Sequence, residues 1–305
     1  MKIYINKASE SWVVDRFRNE WYINSKYKTR FINQSDIVWI IAPWRWKNLQ
    51  IKKLINKKVV CTIHHIDLEK FNQKQQEDFY TRDKVVDEYH VPSLSSYKQL
   101  KNFTDKKINP IPFWIDDKKY FEIDDKSNLR KKYQIPKEKF VIGSFQRDTE
   151  GEDLISPKLS KGPDKFIKFI NEMSIANKDI FVLLSGYRRQ YIIQQLESLN
   201  IDYKYIQQSS ISVLNELYNT LDLYIVGSRV EGGPQSIMEC GLIKVPIIST
   251  NVGIAEEILS KKSIIKNDIN SAVADIDHAR KQVEDYIIPN GITNFEEMFN
   301  RIYEN

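Results

Sequence analysis

The chain has 305 residues, of which 41% are hydrophobic and 29% charged, and its formal net charge is +5. This length exceeds what a single hydrophobic core normally fills, and the hydrophobic fraction excludes a disordered chain, so we expect two globular domains. The positive charge is too small to indicate a nucleic-acid partner. It favours a diphosphate ligand or an anionic membrane surface.

Cysteine usage and the N-terminal sequence bear on the cellular compartment. The chain contains only Cys61 and Cys240, which favours buried thiols over a disulfide framework or a cysteine-built metal site. The N-terminal sequence MKIYINKASE lacks the features of a signal peptide, and no apolar run is long enough to span a membrane. These features predict a cytoplasmic protein, either free or in peripheral contact with a membrane.

Strand-like and helical stretches alternate in the first 115 residues. This order predicts a parallel sheet with helices on both faces, in which ligands bind outside the carboxyl ends of the strands. The strand-like segments are KIYIN, DIVWIIA, VVCTIH, EYHVP and NPIPF.

Aromatic and polar side chains follow three of these strands. Trp44 and Trp46 follow the second strand, where their rings either stack on a sugar ring or a lipid-linked acceptor molecule or pack in a core or interface. His64 and His65 follow the third, and a histidine pKa near neutrality suits acid–base chemistry, the alternative being structural histidines. Ser93 follows the fourth, where it either contacts a ligand or caps the next helix. We assign these residues to the acceptor side of a site, with His64 as a catalytic candidate.

A charged stretch at 116–139 separates a second alternating series from the first. It places a domain junction near residues 115–125. We predict domains over 1–118 and 119–290, and a C-terminal helix over 291–305 whose expected place is on the first domain. The strand-like segments of the second series are FVIGSF, IFVLLSG, YKYIQ, LDLYIVGS and VPIIST.

Two cations flank the loop after FVIGSF. Arg147 follows the strand, and Lys161 precedes a glycine at the start of an amphipathic helix. When a bond to a nucleoside diphosphate breaks, negative charge grows on the phosphate oxygens, and cations already in place stabilise it. The alternative is that both are solvated surface charges. Arg188 and Arg189, after the next strand, are expected to be exposed.

The segment 227–257, GSRVEGGPQSIMECGLIKVPIISTNVGIAEE, carries the densest pattern of the chain. It indicates a strand end, a Gly-Gly-Pro turn, a helix and the next strand. The amides of the first helical turn favour an anion or a sugar hydroxyl, and Glu231 and Glu239 offer oxygens to paired hydroxyls. Alternatively, both glutamates are solvated. The turn and the helix start are the expected donor-binding residues, namely Gly232, Gly233, Pro234, Gln235 and Ser236.

This segment resembles the family 4 retaining glycosyltransferases of the GT-B fold. Their signature is a glutamate, seven residues and a second glutamate, then a small-residue helix end, a Pro-Val-Ile-like strand and a glycine loop. Glu231, Glu239, Cys240-Gly241, Val245-Pro246-Ile247 and Val252-Gly253 follow that order. Two features depart from the family: Gly233-Pro234 replaces the usual Phe-Gly, and Ala8, Ser9 and Glu10 replace a glycine pair after the first strand.

The resemblance implies an α/β protein with two Rossmann-like, doubly wound domains facing a cleft. It implies retaining transfer of a hexose-type sugar from a nucleoside diphosphate, UDP- or GDP-linked, to a hydroxyl of a glycan or glycolipid, without a metal or other cofactor. The implied roles are catalysis by His64, Arg147, Lys161 and Glu231, ribose binding by Glu239, and nucleotide contact at Gly186.

Three other functions remain as alternatives. They are a catalytically silent sugar-nucleotide or glycan-binding protein, a GT-B sugar-nucleotide epimerase, and a nucleic-acid glucosyltransferase, for which the scattered charge offers no continuous basic face. A dinucleotide oxidoreductase is disfavoured because no Gly-x-Gly-x-x-Gly follows the first strand of either half.

Overall fold

The computed structural model describes residues 1–10, 13–176, 179–207, 210–266 and 268–305. The chain folds into two compact units, Met1–Ile115 together with Asp285–Asn305, and Asp116–Glu284. The corresponding limits predicted from the sequence are residues 118 and 290. No helix in the described part of the chain combines the length and hydropathy of a membrane span.

The first unit is built on a five-stranded parallel sheet. In chain order its elements are β1 (Ile3–Ile5), α1 (Val13–Asn24), β2 (Ile37–Ile40), β3 (Lys58–Thr62), α2 (Gln73–Asp83), β4 (Glu88–Val91), α3 (Leu94–Leu100) and β5 (Ile108–Pro110). The strands lie in the order β1-β2-β3-β4-β5. Every residue of β2 is buried, as expected for a parallel strand whose two faces are both covered.

The second unit is built on a six-stranded parallel sheet. Its elements are α4 (Lys126–Lys132), β6 (Phe140–Ser144), α5 (Pro163–Ile175), β7 (Ile180–Ser185), α6 (Gln190–Ser198), β8 (Tyr203–Ile206), α7 (Ile211–Tyr218), β9 (Leu223–Val226), α8 (Gln235–Leu242), β10 (Ile247–Thr250), α9 (Ala255–Ile258), β11 (Ile264–Ile265) and α10 (Ile276–Val283). The two parallel sheets confirm the predicted α/β fold class.

The strand order of the second sheet reverses direction at β6. The order is β11-β10-β9-β6-β7-β8, so the chain continues from β6 toward one edge and then crosses to β9 on the other side. Loops on opposite faces of a sheet diverge at such a reversal, and the crevice between them is where open α/β sheets bind ligands. In this unit the crevice lies between the loops after β6 and β9.

The last helix, α11 (Asn290–Glu304), belongs to the first unit and packs on the same face of its sheet as α1. Trp39 of β2 lies between the two helices, with its ring centroid 5.2 Å from that of Phe299 and 5.5 Å from that of Trp21. Near the end of α11, Arg301 donates two hydrogen bonds to the carboxylate of Glu88, at 2.9 and 2.7 Å. The bidentate pair fixes α11 against β4.

Candidate functional site

The loops after β6 and β9 start from neighbouring strands. The two strands pair in parallel, with Ile142 opposite Leu223, so their carboxyl ends leave the sheet side by side. The first loop carries Arg147 and leads to Lys161, and the second carries Glu231 and leads into α8. The sheet therefore brings together residues that the sequence places far apart.

Two glycines let these loops approach each other closely. Gly162 has a φ of 61°, and a Cβ atom built on it would lie 1.8 Å from the carbonyl oxygen of Gly227. Next to this approach, the carbonyl of Ser160 accepts hydrogen bonds from the amides of Arg229 at 2.9 Å and Val230 at 3.0 Å. The start of α5 is thereby fixed to the loop after β9.

An ion pair connects the two loops at the approach. The Lys161 Nζ donates a hydrogen bond to Glu231 Oε1, and both side chains are mostly buried, with 22% and 12% exposed. Ser228 Oγ donates to the same carboxylate oxygen at 3.3 Å, and the side-chain amide of Gln146 donates to the Lys161 backbone carbonyl at 2.9 Å. Sequence reasoning gave Lys161 and Glu231 separate roles and assigned none to Gln146 or Ser228. Only their position just after strand ends could have indicated them.

Arg147 and Arg189 have different surroundings. Arg147 is partly buried, and its Nε donates to the Thr149 carbonyl at 2.8 Å, which orients the guanidinium. The prediction that Arg189 is exposed is wrong, because its side chain is fully buried and pairs with Asp148 at 2.5 Å. Arg189 also donates to the Ser144 carbonyl at 2.8 Å, so it fixes the strand ends from which the loops start. A guanidinium with five donors suits carbonyls that the sheet leaves unpaired.

Glu239 lies on α8, where 5% of its surface is exposed. Its Oε2 accepts a hydrogen bond from the hydroxyl of Tyr218 on α7 at 2.7 Å. Burial, reinforced by the carboxylate of Glu239, raises the pKa of Tyr218 well above its usual value, so the phenol stays a donor. Tyr218 therefore orients the carboxylate. Nothing in its sequence context pointed to this role.

The expected donor-binding turn precedes α8. Gly232 and Pro234 are buried, whereas Gly233 is partly exposed. Gly253 packs under this turn with a φ of 55°, and a Cβ atom on it would lie 2.5 Å from the Gly232 carbonyl oxygen. Gln235 and Ser236, in the first turn of α8, are partly exposed. After β7, Gly186 has a φ of 95° and its carbonyl accepts from the hydroxyl of Tyr205 at 2.8 Å.

In the first unit, His64 is held by backbone and aromatic contacts. Its Nε2 lies 2.8 Å from the Ile41 carbonyl oxygen, and because a carbonyl only accepts, Nε2 carries the proton. Its ring stacks on Phe113 with centroids 5.8 Å apart. Burial lowers the pKa of His64 to about 4. The expectation of a pKa near neutrality is therefore wrong: at neutral pH the ring is uncharged, and Nδ1 is an acceptor rather than a donor.

The other acceptor-side residues divide into two groups. Trp44 is 47% exposed, 5.7 Å from the ring of His64, and His65 is also exposed. Trp46 is 3% exposed and directs its Nε1 to the carboxylate of Asp78 at 3.2 Å, so its ring packs in the core. Ser93 is fully buried and caps α3, accepting from the Ser96 amide at 3.1 Å. Two of the four residues thus present a surface to solvent.

Both cysteines are buried, as expected. Among the residues that the structure describes, no group of three or more His, Cys, Asp or Glu side chains is arranged to hold a metal ion.

Comparison with known proteins identifies the family. The family model described as glycosyl transferases group 1 matches residues 125–288, which is more than half of the chain. A search of curated protein sequences gave no match.

Solved structures share the fold at low sequence identity. Anabaena HepE in complex with UDP-glucose is 12% identical, with a TM-score of 0.72 over 100% of this chain and 99% of that one. A sucrose-phosphate synthase from Thermosynechococcus elongatus is 14% identical, with a TM-score of 0.69 over 95% and 77%. A glycosyltransferase from Rickettsia africae is 16% identical, with a TM-score of 0.66 over 98% and 83%. These likenesses show the fold, which is GT-B.

Because the family model spans more than half of the sequence and the structure has the GT-B fold, the chain belongs to the glycosyl transferases group 1 family, as the spacing of Glu231 and Glu239 predicted.

Proposed function

We propose that this protein is a retaining glycosyltransferase that moves a hexose-type sugar from a nucleoside-diphosphate sugar to a hydroxyl of a glycan or glycolipid. The ion pair between Lys161 and Glu231 at the reversal of the second sheet carries this proposal. It puts a cation for the diphosphate next to a carboxylate for the sugar hydroxyls. Arg147 supplies a second cation from the same loop.

In this proposal the nucleoside lies against α8. Glu239 accepts hydrogen bonds from the ribose hydroxyls, and Tyr218, which already donates to one of its oxygens, holds the carboxylate in place. Amides in the first turn of a helix lack intrahelical partners, so those of α8 favour a phosphate or a sugar hydroxyl at the Gly232–Gly233 turn. Gly186 has no side chain, so it contacts the nucleotide only through backbone atoms.

The chemical step follows from where charge develops. The bond between the sugar carbon and the phosphate oxygen breaks, the acceptor oxygen bonds to that carbon from the same face, and its proton passes to the leaving phosphate. Negative charge grows on the diphosphate, where Lys161 and Arg147 stabilise it more in the transition state than in the ground state. These cations supply the charge that a metal ion would otherwise provide, so we expect transfer to need no metal.

The first unit offers a surface for the sugar or the acceptor. Neutral His64 presents Nδ1 as an acceptor for a sugar hydroxyl, and the exposed ring of Trp44 lies 5.7 Å away, where it can stack on a sugar ring. His65 is exposed beside them. We propose that these three residues contact the transferred sugar or the acceptor, whereas Trp46 and Ser93 support the fold.

The experiment that tests this function starts from the donor. HepE was solved with UDP-glucose, so UDP-glucose is the first donor to test, followed by GDP-linked, ADP-linked and CMP-linked sugars. A donor that binds only the folded protein raises its melting temperature. We expect a shift with one nucleoside diphosphate and its sugar conjugate, and slow hydrolysis of that conjugate in the absence of acceptor, unaffected by EDTA.

A catalytically silent binding protein would give the same shift without turnover. We expect hydrolysis, because Arg147 and Lys161 are both present to stabilise the charge that grows on a leaving diphosphate. NMR of the product sugar then reads the anomeric configuration, and inversion would overturn the retaining mechanism. A sugar-nucleotide epimerase would release the epimerised conjugate instead of a free or transferred sugar.

Peripheral contact with an anionic membrane is supported by the connection between β2 and β3. Residues 43–57 contain five cations and no acidic residue. Ile51 and Ile55 are 56% and 64% exposed on this connection. Exposed apolar side chains among cations suit an interface with anionic lipid. Sedimentation with vesicles of phosphatidylglycerol, but not with vesicles of phosphatidylcholine alone, is the expected result, and equal recovery with both would contradict it.

A further inference from the structure

The loop between β6 and α5 contains an insert to which the proposed function gives no role. Its backbone closes into a hairpin: the amide of Glu150 donates to the Ser156 carbonyl at 2.9 Å, and that of Lys158 donates to the Asp148 carbonyl at 2.7 Å. Residues 149 and 157 form an antiparallel bridge between these bonds. The hairpin therefore returns the chain to the residue that follows Arg147.

Lys158 stands at the base of this hairpin, between the two cations already assigned to the diphosphate. Its amide bonds to the residue after Arg147, and its carbonyl accepts from the amide of Lys161 at 2.8 Å. Its side chain is partly buried, and no ion pair or side-chain hydrogen bond of Lys158 occurs among the residues that the structure describes. Burial, and then repulsion by Lys161 and Arg147, lower the pKa of Lys158, whereas the carboxylates of Glu231 and Glu150 oppose this change.

We propose that Lys158 is a third diphosphate-binding cation, brought to the site by the hairpin. The inference rests on the proposed function of the same site. Three cations held close together in a partly buried position repel one another, and a bound anion relieves that repulsion. Glu231 is already paired with Lys161, so the ammonium of Lys158 adds a cation that a bound phosphate can meet.

Binding of nucleotides to the full chain tests this inference. UDP, GDP and ADP are titrated against the wild type by calorimetry, and the diphosphate that binds is compared with its monophosphate. Lys158→Gln is expected to weaken binding of the diphosphate by about tenfold, the usual effect of losing a charge-assisted hydrogen bond, and that of the monophosphate by less. Lys158→Arg keeps the charge and should bind as the wild type does. Lys168→Gln, at an exposed position of α5, is the matched control.

The melting temperature of the unliganded variants separates binding from folding. Because Lys158→Gln removes a repelling charge, it should melt at or above the wild-type temperature. A lower melting temperature with equal loss for diphosphate and monophosphate would mean a structural role and overturn the inference. If the wild type binds and Glu239→Ala weakens binding but Lys158→Gln does not, only the inference about Lys158 fails. If the wild type binds none of the three diphosphates, the proposed function fails and the inference with it.

Discussion

Replacing Gly162 by alanine tests whether the two site loops must touch. The φ of 61° costs a residue with a Cβ atom about 1–2 kcal/mol. The new Cβ atom would also lie 1.8 Å from the Gly227 carbonyl oxygen, and separating two backbone segments to relieve such an overlap adds about 1–3 kcal/mol. We expect Gly162→Ala to lower the free energy of unfolding by about 2–5 kcal/mol, measured by urea denaturation.

Gly186→Ala is the matched control for stability. Gly186 also has a positive φ, 95°, but a Cβ atom on it would meet nothing nearer than the Phe145 carbonyl oxygen at 3.6 Å. Alanine there should cost about 1–2 kcal/mol from backbone strain alone. Because Lys161 directly precedes Gly162, the shift also moves its ammonium, and we expect kcat to fall about 100-fold in Gly162→Ala. Equal stability of the two variants, or wild-type activity of Gly162→Ala, would refute the reasoning.

Three further predictions concern single side chains. Glu239→Ala should weaken nucleotide binding, measured by calorimetry, about tenfold. Tyr218→Phe should weaken it by less, because it removes only the group that orients the carboxylate. Equal affinities of Glu239→Ala and the wild type would contradict the ribose contact. Lys161→Ala should lower kcat by about 100-fold with a smaller change in KM, since its charge acts mainly in the transition state, and a change in KM alone would contradict this. Burial lowers the pKa of His64 to about 4 and that of His90 to about 3. In the unfolded chain both histidines take up a proton below a pH of about 6.5, whereas in the folded protein they stay neutral to lower pH. The free energy of unfolding should therefore be greatest above that pH and decrease toward pH 4, by up to about 2 kcal/mol per histidine at pH 5. Urea denaturation at pH 7 and pH 5 measures this loss of unfolding free energy. If His64→Gln loses as much between the two pH values as the wild type does, the buried-histidine explanation is contradicted.

The strands could be predicted because their residues are buried on both faces and read as short apolar runs. All ten strand-like segments named from the sequence overlap a strand of the structure. β11 was missed because it contains only Ile264 and Ile265, too few residues for any pattern. The strand order, including the reversal at β6, could not be derived, because sequence alternation does not state on which side a new strand pairs.

The candidate site could be proposed from the sequence where chemistry and spacing coincide, and not where it depends on close approach of distant residues. Glu231 and Lys161 were recognised from local motifs, but the ion pair between them joins residues 70 positions apart. Arg189 reads as a surface charge, yet it is buried because carbonyls at the ends of β6 and β7 need donors. The pKa of His64 likewise depends on the ring of Phe113 and the carbonyl of Ile41, which only the fold brings to it.

The Lys161–Glu231 ion pair explains how a site with several cations can be arranged before a ligand binds. Glu231 neutralises Lys161 in the unliganded protein and holds its long side chain in one position, so little rotamer freedom remains to be lost when a diphosphate binds. The ammonium has three donors, so it can keep its bond to Glu231 while it donates to a phosphate oxygen. The Glu231 carboxylate also weakens the attraction between the Lys161 ammonium and the diphosphate of the intact donor. Preorganisation acts on the transition state, because an ammonium that is already in position needs no rearrangement when charge grows on the leaving diphosphate. From the roles proposed for these two side chains we therefore expect modest affinity for the donor together with stabilisation of the transition state.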